Sequence, residues 1–314
     1  MHPNPIRRAV PRDATISYWA ARDGWPIRRF DWPADAARGS ILLIGGRGDI
    51  FEKYLEAFEH WRLQGWSVTA LDLRGHGGSG RASESELVGH TESFAALVDD
   101  LADFWRDWRG GGPRVAMGHS MGGHVLLRAL TERRLDPEAA VLLSPMVRIR
   151  SPLGSWLSGR IARNMCKRGD PARAAWRPKS SAGARADADA MLTSDYGRLL
   201  DEQWWHARMP GTQMGPPSWS WLAEAFASSD LLWRRRDLSH LTTPLLFLLA
   251  EQDRLTVSRA SSALARRLPN ARVAQFKSAG HELLREVDPV RDAALHAIDS
   301  FLGSATARAR GASG

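Results

Sequence analysis

The feature that most constrains this chain is the pentapeptide Gly118-His119-Ser120-Met121-Gly122, a G-x-S-x-G pattern with Gly123 directly behind it. Arg114-Val-Ala-Met-Gly118 before it reads as a strand, and the residues after it read as a helix. A strand that turns into a helix this abruptly brings backbone against backbone, which residues without a Cβ permit. Such a turn pushes the Ser120 hydroxyl out of the sheet and aims a helix N-terminus at whatever reacts there. Gly118, His119 and Gly122 are therefore read as an elbow that presents Ser120 as a nucleophile.

A serine hydroxyl is a weak nucleophile and needs a base. In a strand-elbow-helix arrangement the partners follow the serine in the order acid, then histidine. His281 lies in Ser278-Ala-Gly-His-Glu-Leu-Leu284, a loop between the last strand and the last helix, whereas His296 lies inside that helix and His240 precedes a strand. His281 is the expected base. Asp253, just past the strand Pro244–Ala250, is the expected acid, with Glu251 as the alternative. The glycine-rich loop Gly45-Gly46-Arg47-Gly48 follows an early strand. There the backbone amide of Arg47 pairs with that of Met121 as an oxyanion hole. No G-K-[ST] ending and no G-x-G-x-x-G spacing accompanies those glycines, so no nucleotide cofactor is expected. The stretch around His281 fails the H-E-x-x-H zinc pattern at Arg285, so no metal is expected.

Strand and helix patterns alternate on either side of the elbow, which predicts a mostly parallel, doubly wound α/β sheet. Thr15–Ala20 and Pro26–Trp32 flank Asp23-Gly24 and predict a hairpin. Strands are expected at 40–44, 67–72, 114–118, 139–143, 244–249 and 272–276. Phe94, Leu97, Val98, Leu101, Trp105 and Trp108 predict a long amphipathic helix. Helices are also expected at 257–268 and 290–302. The rhythm breaks between about Met146 and Leu238, a stretch rich in Arg, Trp, Ser and Pro. Residues 148–238 are read as a cap inserted into a core made of 1–147 and 239–303. The tail 304–314, with nothing to bury, is expected to be disordered.

Composition narrows the function classes. With 43% hydrophobic and 25% charged residues, the chain is globular rather than disordered. A single cysteine, Cys166, excludes an internal disulfide. No apolar run reaches the ~18 residues of a membrane span, and the first 30 residues lack a signal-peptide pattern, so a soluble, cytoplasmic protein is expected. The net charge of +8 is carried by arginines spread along the whole chain, with Lys53, Lys167, Lys179 and Lys277 the only lysines. Scattered charge predicts a solvated surface and no nucleic-acid partner. The cap is an exception, with Arg148, Arg150, Arg160, Arg163, Arg168, Arg173, Arg177 and Arg234–Arg236. It is read either as solvated or as a contact with phospholipid head groups at the inner membrane face. Trp156, Trp176, Trp204, Trp205, Trp219, Trp221 and Trp233 also fall in the cap. They either pack it onto the core or line an apolar channel. Trp219, Leu222 and Phe226 share one helical face. The oligomeric state is left open.

Taken with Asp72-Leu-Arg-Gly-His-Gly-Gly-Ser-Gly80 and Leu192-Thr-Ser-Asp195, these motifs resemble the monoacylglycerol lipase and lysophospholipase group of α/β-hydrolases, bacterial lysophospholipase L2-type proteins above all. The likeness spans most of residues 15–302. It implies an α/β-hydrolase fold with a cap and no cofactor. The implied enzyme is a serine hydrolase that cleaves a monoacyl lipid ester through an acyl-enzyme on Ser120. One departure is Gly45-Gly46, where such enzymes often carry His-Gly. The alternatives are a short-chain carboxylesterase and a non-catalytic ligand sensor on the same fold. Carbon–carbon bond hydrolysis by the same triad also stays open.

Overall fold

The structure, a computed structural model, describes residues 4–177 and 191–311, with side chains as far as residue 306. Lys179 and the last three residues of the chain lie outside the described residues.

Strands β3 (Gly39–Ile44), β5 (Arg114–His119), β6 (Ala139–Leu143) and β7 (Leu245–Ala250) are buried along nearly their whole length. Continuous apolar runs such as Ile41-Leu-Leu-Ile44 and Leu245-Leu-Phe-Leu-Leu249 have no polar face to offer water. They suit strands covered by helices on both sides. With β1 (Thr15–Ala20), β2 (Pro26–Trp32), β4 (Trp66–Leu71) and β8 (Ala271–Phe276) they form, among the described residues, an eight-stranded sheet in the order β1-β2-β4-β3-β5-β6-β7-β8. The expected hairpin is present, with Thr15 opposite Asp31 and Ala20 opposite Pro26. Strand β2 also runs antiparallel to β4, and every later pairing is parallel. The order reverses between β3 and β5, which places a crevice beyond their C-terminal ends.

One face of the sheet is covered by α2 (Phe94–Asp107), α3 (Ser120–Thr131) and α7 (Ser258–Ala265), the other by α1 (Leu55–Leu63) and α8 (Asp288–Gly311). Helix α2 is capped by Ser93, whose hydroxyl accepts the Ala95 N–H at 3.1 Å. It buries Phe94, Leu97, Val98, Leu101 and Phe104 in one stripe. Each such side chain contributes about 1.5–3 kcal/mol on burial. Helix α3 is enclosed from Met121 to Thr131, so the residue that opens it is held by the core itself.

Between β6 and β7 lie α4 (Gly154–Cys166), α5 (Tyr196–Arg208) and α6 (Trp219–Arg234), and no strand of the sheet falls there among the described residues. Helix α4 packs on α6 through Gly159 and Ala162, both buried; a Cβ at Gly159 would come within 3.2 Å of Phe226 Cβ. Helix α8 departs from expectation. It runs on through Gly311 instead of fraying after residue 303, because Ala305 and Thr306 still bury against the core and the Thr306 hydroxyl donates to the Leu302 carbonyl at 2.8 Å. No helix among the described residues is long and apolar enough to cross a membrane.

Candidate active site

Strand β5 ends at His119 and α3 begins at Ser120, whose φ of 51° lies in the left-handed region. A non-glycine residue there costs roughly 1–3 kcal/mol and persists only where its surroundings enforce it. The neighbours do enforce it. A Cβ at Gly118 would stand 2.7 Å from Gly123 Cα, and one at Gly122 would run into the carbonyls of Ile44 and Gly45. Any larger residue would push α3 away from β3 and open the elbow. Because α3 starts at Ser120, the Met121 amide belongs to a first turn whose N–H groups have no intrahelical acceptor.

Asp253 and His281 come together from two loops at the C-terminal edge of β7 and β8. His281 Nδ1 lies 2.8 Å from Asp253 Oδ2, and both residues are almost wholly buried. Asp253 Oδ1 accepts the Leu255 and Thr256 N–H groups at 2.8 Å each, and its Oδ2 also accepts the Thr256 hydroxyl at 2.7 Å. Burial works against the charge, but the His281 contact and the Thr256 bonds outweigh it and hold this carboxyl below its ordinary range. A carboxylate at Nδ1 makes that nitrogen the donor. Nε2 then carries the lone pair, and it is buried without a partner among the described residues. The His281 ring packs against the His119 ring with centroids 4.9 Å apart, which sets the imidazole beside the residue that precedes Ser120. Glu251 is exposed on the turn, and Asp253 is the carboxylate against the imidazole. His240 instead bonds the Thr131 carbonyl.

The loop Gly45–Gly48, expected to supply an oxyanion amide, is held by a residue that sequence reasoning missed. Asp49 Oδ2 accepts the Gly46 N–H at 2.6 Å and the Tyr54 hydroxyl at 2.6 Å, and lies 2.9 Å from His119 Nδ1. Its Oδ1 accepts from Lys53 Nζ at 2.7 Å. Burial disfavours its charge, yet Lys53 and His119 outweigh that and keep the carboxyl well below the usual range. Asp49 thus ties the loop at Gly46 to the elbow at His119. A carboxylate three residues after the Gly45-Gly46 pair is the available signal, but only packing shows which backbone it reaches. Glycine at 46 leaves the nucleophile room, since a Cβ there would press to 3.0 Å from Ser120 Cβ.

Two further motifs are braces. Asp72 accepts the Phe51 N–H at 3.0 Å and the Gly78 N–H at 2.8 Å and pairs with Arg28, which fastens the segment Asp72–Gly80 below the oxyanion loop. Leu192-Thr-Ser-Asp195 holds the His281 loop: the Leu192 carbonyl accepts the Glu282 N–H at 2.8 Å, and the Thr193 hydroxyl donates to the Arg285 carbonyl at 2.7 Å. Lys53, Glu202, Glu282 and Arg285 form a buried ion cluster that joins this loop to α5 and to Asp49.

The cap tryptophans divide. Trp205 and Trp221 are buried, and Trp221 packs edge-on to Phe94 with centroids 5.9 Å apart. Trp156 and Trp176 are exposed. Of the cap arginines, Arg150 is not simply solvated. Its Nε donates to the Asp253 carbonyl at 2.8 Å and so clamps the acid loop. Among the described residues no group of histidine, cysteine and carboxylate side chains is arranged to hold a metal.

A family model described as serine aminopeptidase, S33 (Hydrolase_4) matches residues 35–288. The chain is 30% identical over 296 residues to lysophospholipase L2 of Escherichia coli (strain K12), which covers 89% of this chain and 84% of that one. It is 26% identical to a probable lysophospholipase L2 of Haemophilus influenzae, covering 86% and 85%. In structure it resembles a soluble variant of monoglyceride lipase from Saccharomyces cerevisiae, with a TM-score of 0.75, 17% identity, and 97% and 100% coverage.

Proposed function

The chain belongs to the Hydrolase_4 family of α/β-hydrolases, and from that premise we propose a serine carboxylic ester hydrolase that cleaves a monoacyl lipid through an acyl-enzyme on Ser120. The observation that carries the reading is the Asp253–His281 pair, with a bare buried Nε2 beside the strained elbow that presents Ser120. Ser120 Oγ attacks the ester carbonyl while His281 Nε2 takes its proton. The amides of Arg47 and Met121 receive the charge that develops on the carbonyl oxygen, and a single such donor contributes about 10²–10³-fold. The imidazolium then protonates the departing alcohol. Water, deprotonated by the same Nε2, releases the fatty acid and restores Ser120. Asp253 stays ionised throughout and stabilises the imidazolium.

Esters are favoured over the peptides named in the family description by charge. An aminopeptidase has to hold a free α-ammonium group, which requires an anion near the nucleophile. The side chain that leaves the oxyanion loop here is the cation Arg47. The lipid half of the reading is supported by the relatives named lysophospholipase L2, which align over most of both chains.

Residues 148–238 are proposed to be a cap over Ser120, with half-buried Trp219 and Leu222 of α6 contributing to an apolar acyl channel. Two contacts support this reading: Arg47 Nη2 donates to the Gly215 carbonyl, and Gly48 faces Met214. Each methylene taken from water contributes up to about 0.8 kcal/mol. Lengthening the acyl chain by about four carbons should therefore raise kcat/KM by up to roughly two orders of magnitude until the channel fills. A series of p-nitrophenyl esters and monoacylglycerols below their micelle concentrations measures this. A maximum at acetyl or butyryl esters would leave a short-chain esterase and remove the lipid reading.

Helix α4 supports an encounter with an anionic lipid surface at the inner membrane face. Trp156, Leu157 and Ile161 are exposed on it, Leu153 is exposed just before it, and Arg160, Arg163 and Lys167 lie beside them with no acidic residue in the helix. Apolar side chains with flanking cations suit such a boundary. Leu157→Glu should lower the fraction of protein that sediments with phosphatidylglycerol vesicles several-fold, and added salt should act in the same direction. Equal sedimentation of both proteins would exclude this face.

A further inference from the structure

Arg47 brings a second group to the site besides its backbone amide. Its side chain leaves the oxyanion loop and runs under the segment joining α5 to α6. Nη2 donates to the Gly215 carbonyl at 2.6 Å, and the guanidinium carbon lies 5.3 Å from the Trp221 ring centroid. Gly89 makes room for it, since a Cβ there would collide with Nη2. Three arginines buried in the core are neutralised: Arg28 by Glu52 and Asp72, Arg198 by Glu56, Asp195 and Asp288, and Arg285 by Glu202 and Glu282. Arg81, half-buried, instead spends its donors on five backbone carbonyls. Arg47 makes no ion pair among the described residues, and its Nε is buried without a partner.

An inward-turned cation normally pairs, because desolvation is otherwise uncompensated. That penalty is visible in Arg47, whose pKa burial pushes down to about 10, so the group still carries its charge at neutral pH. The guanidinium has five N–H donors in a fixed fork, and Gly215 occupies one. The remaining donors match the oxygens of a phosphate better than those of any neutral head group. The nucleophile is close at hand, since Gly46, adjacent to Arg47 in the chain, lies against Ser120.

We propose that the Arg47 guanidinium recognises the phosphate of the substrate's head group, so that the site prefers a phosphate-bearing monoacyl ester, a lysophospholipid, over a neutral monoacylglycerol. This rests on the ester-hydrolase reading above and narrows it. The amide of Arg47 would receive the reacting carbonyl while its side chain holds the anion of the same substrate. A monoacylglycerol leaves the cation unpaired.

The test compares Arg47→Met with the wild type, because methionine keeps the backbone amide and much of the side-chain length but no charge. Lysophosphatidic acid and the 1-monoacylglycerol of the same chain are assayed as monomers. Charge-assisted hydrogen bonds of this kind lead us to expect the phosphate-to-neutral ratio of kcat/KM to fall about 10–100-fold, whatever happens to the rate common to both. Arg47→Lys should recover part of the ratio, since it keeps the charge without the fork. A second measurement needs no lipid. Glycerol 3-phosphate should compete with p-nitrophenyl butyrate in the wild type, with an inhibition constant raised roughly tenfold or more in Arg47→Met, and glycerol should not compete. An equal loss on both lipids would make Arg47 a pin for the cap and overturn the proposal, as would equal inhibition of both proteins by glycerol 3-phosphate. A wild type that cleaves p-nitrophenyl butyrate but neither lipid would instead defeat the lipid reading, with the inhibition constants still deciding the role of Arg47.

Discussion

Ser120→Ala should lower kcat/KM on any ester substrate by roughly 10⁴-fold or more, with the fold intact. Members of a nucleophilic triad act as a unit, so removing the attacking oxygen forfeits nearly all of their joint contribution. What remains is positioning by the oxyanion amides, and alanine does not alter those. The structural cost is small, because the change deletes one half-buried hydroxyl and no core volume. Alanine also meets the same φ of 51° that serine tolerates, held by the close approach of Gly118 to Gly123. The thermal midpoint should therefore move by a few degrees at most. Labelling by a fluorophosphonate probe, present in the wild type and lost in the variant, supplies the chemical readout. A folded variant that hydrolyses esters at the wild-type rate would dispose of Ser120 as the nucleophile. A wild type that neither labels nor turns over would favour a ligand sensor.

Asp253→Asn should cost roughly 10⁴-fold in kcat, and the reason is the tautomer. The carboxylate accepts from His281 Nδ1 and so leaves the lone pair on Nε2. An asparagine amide turned toward the ring donates instead, puts the proton on Nε2, and removes the base. The loop should survive, because an amide oxygen still accepts the N–H groups of Leu255 and Thr256, and Arg150 still clamps the Asp253 carbonyl. Substrate affinity should change little. Glu251→Gln, altering an exposed side chain on the same turn, should stay within about threefold of the wild type, as surface changes usually do. The reverse ranking of these two variants would move the acid to Glu251.

The elbow was legible because its chemistry is local. Gly118, Ser120, Gly122 and Gly123 fall within six consecutive residues, and the contact between Gly118 and Gly123 acts between near neighbours in sequence, whereas Gly122 is held to glycine by the distant carbonyls of Ile44 and Gly45 and is legible only through the pattern. The sheet was legible for a similar reason: the runs at 41–44, 139–143 and 245–249 are apolar without alternation, which only a doubly covered strand tolerates. Boundaries shifted by a residue or two, as at β4, which spans Trp66–Leu71 rather than 67–72. Composition does not reveal that Ala305 and Thr306 meet a buried face, so the continuation of α8 beyond residue 303 is not legible in the sequence.

The support of the site was not legible, because it consists of contacts between residues far apart in the chain. Asp49 reaches Gly46 and also His119, and nothing near Asp49 in sequence announces the second partner. The segment Leu192–Asp195 carries no local sign of its task, which is to hydrogen-bond the loop of His281, with Thr193 and its partner Arg285 lying 92 residues apart. The same holds for the cap tryptophans, which share a composition yet divide into buried Trp205 and Trp221 and exposed Trp156 and Trp176.

By itself, then, the sequence determined the sheet's apolar interior and the strand-to-helix elbow, and it pointed to Ser120, His281 and Asp253 as candidates, since each depends on local backbone sterics or on the type of a single side chain. Tertiary structure alone decided which carboxylate faces His281, what holds the loop at Gly46, and that Arg47 turns inward without a counter-ion among the described residues. Those outcomes depend on distances between segments up to about two hundred residues apart, and burial and pairing energies are settled only once the segments meet.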